Sequence, residues 1–186
     1  MMLRLLLLLA LIGITVGVSD WLRDLQEDLR RVPAAAAPRV PDFAFTDVLL
    51  TMMGVDGAPK YRIEAPRMVH FPLDDRSVLT SPDVWFFRDD GPPVELRAER
   101  ARVTAMGERI WLPGAVDIER PPYGRRARLD VITRDVTVFP DPELARTGAP
   151  VRAISGAQRL EGVGMRLDLA ACTLHLRSRV RGRYVP

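Results

Sequence analysis

One short pattern recurs through this chain and narrows what it can become. Apolar residues alternate with variable ones up to a small residue, and the next apolar residue follows three positions later. It reads Tyr61, Ile63, Ala65, Met68, and again Val94, Leu96, Ala98, Ala101. Looser copies are Ala127, Leu129, Val131, Val136 and Leu160, Gly162, Met165, Leu167. The anchors Ile63, Leu96, Leu129 and Leu160 fall about 32 residues apart, a period typical of stacked supersecondary units. Second apolar runs lie between them at 78–87, 110–118, 151–154 and 174–184. Each unit reads as two strands and two turns. Such a unit cannot bury its apolar face alone, so the units must stack into an elongated all-β body.

The three-residue step from Ala65 to Met68, and from Ala98 to Ala101, breaks the two-residue period of a strand. A β-bulge or corner at each step would keep both halves of a long strand pointing inward and would curve the sheet. Two ordinary strands at each step are the alternative. Turn signals are Asp56-Gly57, Asp74-Asp75, Asp89 to Pro93, Met106-Gly107 and Pro121 to Gly124, all residue types that suit tight turns. Pro140 to Pro150 reads as the longest turn-like stretch. At the end, Cys172, Leu174, Leu176, Val180, Gly182 and Tyr184 alternate with Thr173, His175 and four arginines. That alternation predicts one buried and one wet face, interrupted at Ser178.

Ahead of this body, Leu5 to Val18 is uncharged and apolar except for Thr15, with Arg4 before it. Residues 1–22 as a helix would span roughly 33 Å, against a hydrocarbon core of about 30 Å. Arg4 predicts a cytoplasmic N-terminus, and residues 1–30 read as a transmembrane anchor with a short extension carrying Trp21, Leu22, Leu25 and Leu29. A cleaved signal peptide is the competing reading, with a poor cleavage site around Gly17, Val18 and Ser19. Residues 31–41 hold Pro33, Ala34 to Ala37, Pro38 and Pro41, too rich in proline for a continuing helix and suited to a linker. The β-body then occupies 42–186.

Charge adds little by itself. The net charge is +3, and Lys60 is the only lysine, so arginine supplies nearly all the basic charge. Residues 151–186 carry seven arginines against Glu161 and Asp168, scattered rather than in a block. Catalytic constellations are missing. Two histidines, His70 and His175, and one cysteine, Cys172, give no metal-ligand spacing and no internal disulfide. Gly162-Val163-Gly164 lacks the strand–turn–helix context of a phosphate loop. No enzymatic activity, cofactor, metal or nucleic-acid partner is expected. A curved apolar trough outside a membrane suits two tasks: shielding a greasy ligand, at about 0.8 kcal/mol per buried methylene, and pairing its open strand edges with another β-protein.

The order of several short segments resembles the LptC family of lipopolysaccharide-export proteins. These are Phe45-Thr46-Asp47, Tyr61-Arg62-Ile63-Glu64-Ala65, Leu79-Thr80-Ser81-Pro82, Asp89-Asp90-Gly91-Pro92, Gly162 to Arg166 and Ser178 to Tyr184. The resemblance implies an OstA-like fold, a twisted and curved β-jellyroll after a single N-terminal transmembrane helix. It implies lipopolysaccharide in the hydrophobic groove, received from an inner-membrane ABC transporter of LptB, LptF and LptG and passed to the periplasmic bridge LptA. It places the protein in the inner membrane with its C-terminal domain in the periplasm. Carried over residue by residue, Thr46, Leu79 and Leu174 look like groove positions, and Gly156, Val180 and Tyr184 look like parts of a partner-docking edge. Two other readings stand beside it: a soluble LptA-like bridge with a cleaved signal peptide, and an assembly adaptor without lipid contact.

Overall fold

The computed structural model describes residues 40–104 and 107–183. The expected anchor, nearly all of the linker, and Tyr184 lie outside the described residues. Strands β1 (Phe43–Met53), β2 (Pro59–Phe71), β3 (Arg76–Thr80), β4 (Asp83–Phe86), β5 (Val94–Ala98), β6 (Arg100–Val103), β7 (Ile110–Arg120), β8 (Leu129–Phe139), β9 (Leu144–Ser155), β10 (Gln158–Asp168) and β11 (Thr173–Arg183) form one sheet. All its pairings are antiparallel. β2 pairs Arg67–Phe71 with β3 and Tyr61–Glu64 with β4, so β3 and β4 are two pieces of one interrupted strand. β5 and β6 are related in the same way. The sheet is therefore a meander from β1 to β11. The 32-residue period is one hairpin of it, and the anchors Ile63, Leu96, Leu129 and Leu160 sit on β2, β5, β8 and β10.

The three-residue steps are corners, and they line up. Asp47 of β1 has a positive φ of 53° and lies between the pairs Thr46–Arg67 and Val48–Ala65, opposite Pro66. Next come Ser81 (φ 45°), whose N–H donates to Glu99 O at 2.7 Å, and the Glu99 break between β5 and β6. Gly114 (φ 78°) bulges from β7 and donates its N–H to Asp135 Oδ1 at 3.0 Å, with Asp135 itself at φ 53°. Beyond these, β9 bulges around Gly148, β10 turns at Gly164 (φ 77°) and β11 at Arg179 (φ 52°). Left-handed backbone in mid-strand flips the side-chain parity, so residues on both sides of this seam face inward. Both expectations for the step are realised: bulged continuous strands in β7 to β11, and two separate strands at Glu99.

Along the seam the sheet folds over on itself. Leu160 and Leu174 line one cavity of about 310 Å³, although Leu174 pairs with Leu167, at the other end of β10 from Leu160. Arg88, just past β4, donates to Ala170 O at 2.7 Å, and Lys60 on β2 pairs with Asp141 in the β8–β9 turn. These contacts join strand ends that are remote within the flat meander. We call the two leaves the Trp111 half (residues 110–112 of β7 and their neighbours) and the Trp85 half (β4, β5 and their neighbours). Between them lies one core that includes Ile63, Leu79, Phe86, Leu96, Ile110, Leu112, Val136 and Met165. At about 25 cal/mol per Å² of buried apolar surface, this shared filling holds the leaves together.

Two sequence expectations need correction. Pro140 to Pro150 is mostly strand: β9 begins at Leu144, and Leu144, Ala145 and Thr147 are buried. Gly148 and Pro150 mask the pattern because they sit at a bulge and carry no inward side chain of size. The last strand buries its apolar face only in its first half. Leu174 and Leu176 pack on the core, whereas residues 177–183 are exposed and Val180 is 55% exposed. An edge strand beyond the seam has no neighbour on its outer side to cover it.

Candidate functional site

The inner apolar face does not stop where the core stops. On β1, residues paired with inward residues of β2 point the same way: Leu50 with Ile63, Met52 with Tyr61, Phe45 with Met68. Ile63 is 2% exposed, but Leu50 is 43% and Phe45 is 52% exposed. At the other end, Leu160 pairs with buried Ala153 and is 42% exposed. The lining therefore runs out into solvent at both edges of the meander. Exposed apolar surface of this extent marks an interaction or ligand surface.

A larger opening of about 1400 Å³ lies at one end of the roll, lined by the 53–59 hairpin, residues 87–89, Thr104, residues 107–109 and residues 139–143. Met52, Met53 and Val55 give it a flexible apolar rim. Lys60 crosses it to Asp141, with Glu143 at 4.0 Å. The hydrogen bond that the Lys60 ammonium donates to Asp141 is the main cause holding its pKa above the usual value, against desolvation. Tyr61 behind it stacks obliquely on Phe86 at 5.5 Å, and burial pushes its phenol pKa up. The Tyr61 hydroxyl lies 3.0 Å from where a side chain at Gly107 would begin. At the smaller, 310 Å³ cavity, Arg120 is buried and gives its guanidinium to the carbonyls of Pro121 and Ala127, which shapes the β7–β8 turn.

Both sheet edges are unpaired among the described residues. β1 is apolar on both faces, with Leu49 61% exposed as well as Leu50. β11 presents Arg177, Arg179, Arg181 and Arg183. Neither is short or carries a proline, but the arginines and the kink at Arg179 blunt β11, which leaves the apolar β1 as the more open template for strand addition.

Comparison with known proteins now decides the family. A family model described as "Lipopolysaccharide-assembly, LptC-related" matches residues 5–185. The chain belongs to the LptC family. A search of curated protein sequences gave no match. Among solved structures, the chain is similar to LptH of Pseudomonas aeruginosa, described as the LptA-homologous periplasmic component of the lipopolysaccharide transport device. The TM-score is 0.53 at 13% identity, over 68% of this chain and 95% of that one. At that identity the likeness concerns the fold, and it gives this LptC-family chain the LptA-type all-β jellyroll that the resemblance implied.

The residues singled out in the sequence fall in different places. Leu79 is 2% exposed and belongs to the sealed core. Leu174 is half-buried and lines the smaller cavity. Thr46 is exposed and registered opposite Arg67, one residue from the seam at Asp47. Gly156 occupies the β9–β10 turn at φ 57°, where a Cβ would meet Ala127 at 3.4 Å. Val180 stands on the exposed half of β11. The structure brings Leu174 close to the smaller opening and leaves Thr46 and Leu79 apart from it. Residues that sequence reasoning missed are Leu50, Phe45 and Met52; their signal was pairing with the inward residues of β2, which needs the register. His70 was also missed. Its Nδ1 lies 2.7 Å from Asp42 Oδ1 and its Nε2 3.0 Å from Asp75 Oδ1, and its ring stacks on Phe43 at 4.4 Å. The hydrogen bonds to Asp42 and then Asp75 raise its pKa above the ordinary value. Among the described residues no cluster of metal-ligating groups occurs, and no helix is long and apolar enough to cross a membrane.

Proposed function

We propose that this LptC-family protein carries lipopolysaccharide through its folded sheet, acyl chains between the two halves and sugars outside. The observation that carries this reading is the inner apolar lining that emerges at both edges, at Leu50 and Phe45 on β1 and at Leu160 on β10. In this reading the β1 edge faces the jellyroll of the LptB–LptF–LptG transporter, and the β11 edge, with Gly156, Val180 and Tyr184 near it, meets the bridge LptA. Residues 1–30 anchor the protein in the inner membrane and hold the β-body in the periplasm. ATP is hydrolysed by the transporter, so the body needs binding surfaces and no catalytic group.

Leu174 and the β1 residues Leu50 and Met52 are the positions proposed to touch acyl chains. Thr46, beside the seam, would meet the ligand where chains give way to sugars, and Leu79 would support the wall from inside the core. The test places a photocrosslinking residue at Leu174 and, separately, at Thr46. Lipopolysaccharide adducts at Leu174 that depend on ATP and the transporter are expected. Binding of both partners without any adduct at either position would sink the conduit and leave an assembly adaptor.

A further inference from the structure

The two halves of the sheet differ on their outer face. Across the Trp85 half the outward row reads Arg62, Trp85, Glu95, Glu119, Asp130, Ile154, Arg159, Arg183. Its two ends are arginines without an ion pair among the described residues, but the arginines beside its carboxylates are matched. Arg97 lies 2.7 Å from Glu95, Arg128 2.7 Å from Glu119 and 2.8 Å from Asp130, and Arg152 3.2 Å from Glu161. Across the Trp111 half the corresponding row reads Arg102, Trp111, Thr137, Arg146, Arg166, His175. Among the described strand residues of that half the only carboxylate is Asp168, at the end of β10. Arg146 and Arg166 stand directly opposite each other on β9 and β10, an arrangement of like charges that destabilises a sheet.

These residues border a groove of about 660 Å³, lined by Arg76, Arg102, Arg109 and Arg146 around Val103, Trp111, Thr137 and Phe139. The aromatic rings hold the guanidinium groups in place. Arg102 lies 4.7 Å over Trp111, and Arg109 and Arg146 both lie 5.6 Å from the Phe139 ring centre. Two like charges thus share one ring. Arg76 is paired with Asp74 at 3.0 Å; Arg102, Arg109 and Arg146 have no carboxylate within ion-pair distance among the described residues. Arginine stands for lysine everywhere but at Lys60 in this chain, so its use here carries no signal of its own. The missing carboxylates are the signal, because they are present on the other half of the same face. Fixed, uncompensated guanidinium forks suit phosphate oxygens, and an apolar wall with room beyond one phosphate suits a sugar ring.

We propose that this outer groove binds a phosphorylated saccharide, its phosphate held by Arg109 and Arg146 and its sugar lying against Val103 and the Trp111 edge. The proposal rests on the conduit reading, which puts sugars outside the roll, and it names the sugar-phosphate part of that same ligand. The test uses the full chain in detergent micelles. It is titrated with three soluble compounds: the phosphorylated oligosaccharide of lipopolysaccharide stripped of all acyl chains, the same oligosaccharide after phosphatase, and dihexanoyl phosphatidylglycerol. Saturable, salt-sensitive heat of binding is expected for the first alone. The double variant Arg109→Gln, Arg146→Gln, at exposed positions, is expected to weaken it by about tenfold or more. Equal binding of the phosphatase-treated saccharide, or wild-type affinity in the variant, overturns the proposal. Stronger, variant-sensitive binding of the phosphatidylglycerol also overturns it and assigns the cluster to the membrane surface. Because the acyl-free saccharide never enters the roll, loss of the Leu174 adduct would refute the conduit without deciding this result.

Discussion

The two edge strands offer opposite surfaces from the same backbone geometry. β1 pairs along nearly its whole length with β2 yet keeps most of its side chains in solvent, Phe45, Leu49, Leu50 and Met53 among them. β11 does the reverse in two stages. Its first half is pinned by Leu174 and Leu176 on the core, and its second half, past Arg179, is basic and uncovered. An apolar edge gains affinity from surface removed from water, whereas a basic edge gains steering and partner choice. The difference teaches that one all-β module can present two free edges of unlike chemistry: β1 and β11 differ in surface as well as position, so one edge is a poor match for the other.

The comparison breaks most visibly at β1. If β1 meets the transporter as proposed, the double change Leu49→Asp, Leu50→Asp is expected to weaken its retention roughly a hundredfold or more, because each buried, unpaired carboxylate costs at least the roughly 1–3 kcal/mol of an unpaired neutral polar group. Binding of the bridge protein through β11 should persist. Co-purification of each partner measures this, and equal loss of both would show that the edges are not separate surfaces. The next effect concerns how each strand is held. Leu176→Ala is expected to cost about 2 kcal/mol, the low end for a leucine packed on a core, whereas Leu50→Ala should stay within about 0.5 kcal/mol. Urea unfolding compares them, and a larger loss for Leu50→Ala would mean that β1 is the better anchored edge.

A smaller change is expected at the seam. Gly164 sits at φ 77°, and a Cβ there would stand 2.9 Å from the Arg177 side chain on β11. Gly164→Ala is expected to cost about 1 kcal/mol in backbone strain and to loosen β11 selectively, read as faster amide exchange in 173–183 with β1 unchanged. The smallest effect is one of pH and belongs to β1. His70 joins Asp42, just ahead of β1, to Asp75 in the β2–β3 turn. Its pKa is raised above 6.5, so its stabilisation is complete below pH 6.5 and is lost as pH rises through the folded-state value. Amide exchange at the start of β1 should quicken over that window, and His70→Gln should remove the dependence. An unchanged pH profile in His70→Gln would assign the effect elsewhere.

Much of this architecture was legible in the residues. The three-residue steps at Ala65–Met68 and Ala98–Ala101 mark true corners, and the hairpin period follows from them. The turn at Asp56-Gly57 stands where expected, with Gly57 at φ 79°. What stayed hidden depends on register. Asp47, Ser81, Asp135 and Arg179 take left-handed backbone without being glycine, so no local composition announces them. The charge asymmetry was equally invisible to a charge count over a consecutive segment such as 151–186, because it divides every long strand in the middle. Alternation in 172–184 predicted burial that the second half of β11 lacks, since a strand's pattern states which face is apolar and not whether anything covers it. Leu50 and Met52, which continue the inner lining, needed their partners Ile63 and Tyr61 before they could be told from surface leucines and methionines.

The aligned corners also set a fitting rule for whatever joins the molecule. A strand added at either edge must change parity at the same level as its host, beside Asp47 on one side or Arg179 on the other. A straight strand could match only half of the edge before its hydrogen bonds fell out of step. If neighbours add to these edges as proposed, the crease would work as a key: it would admit those that carry the same kink at the same height, and the fold line, with the gutter beneath it, would run from one protein into the next.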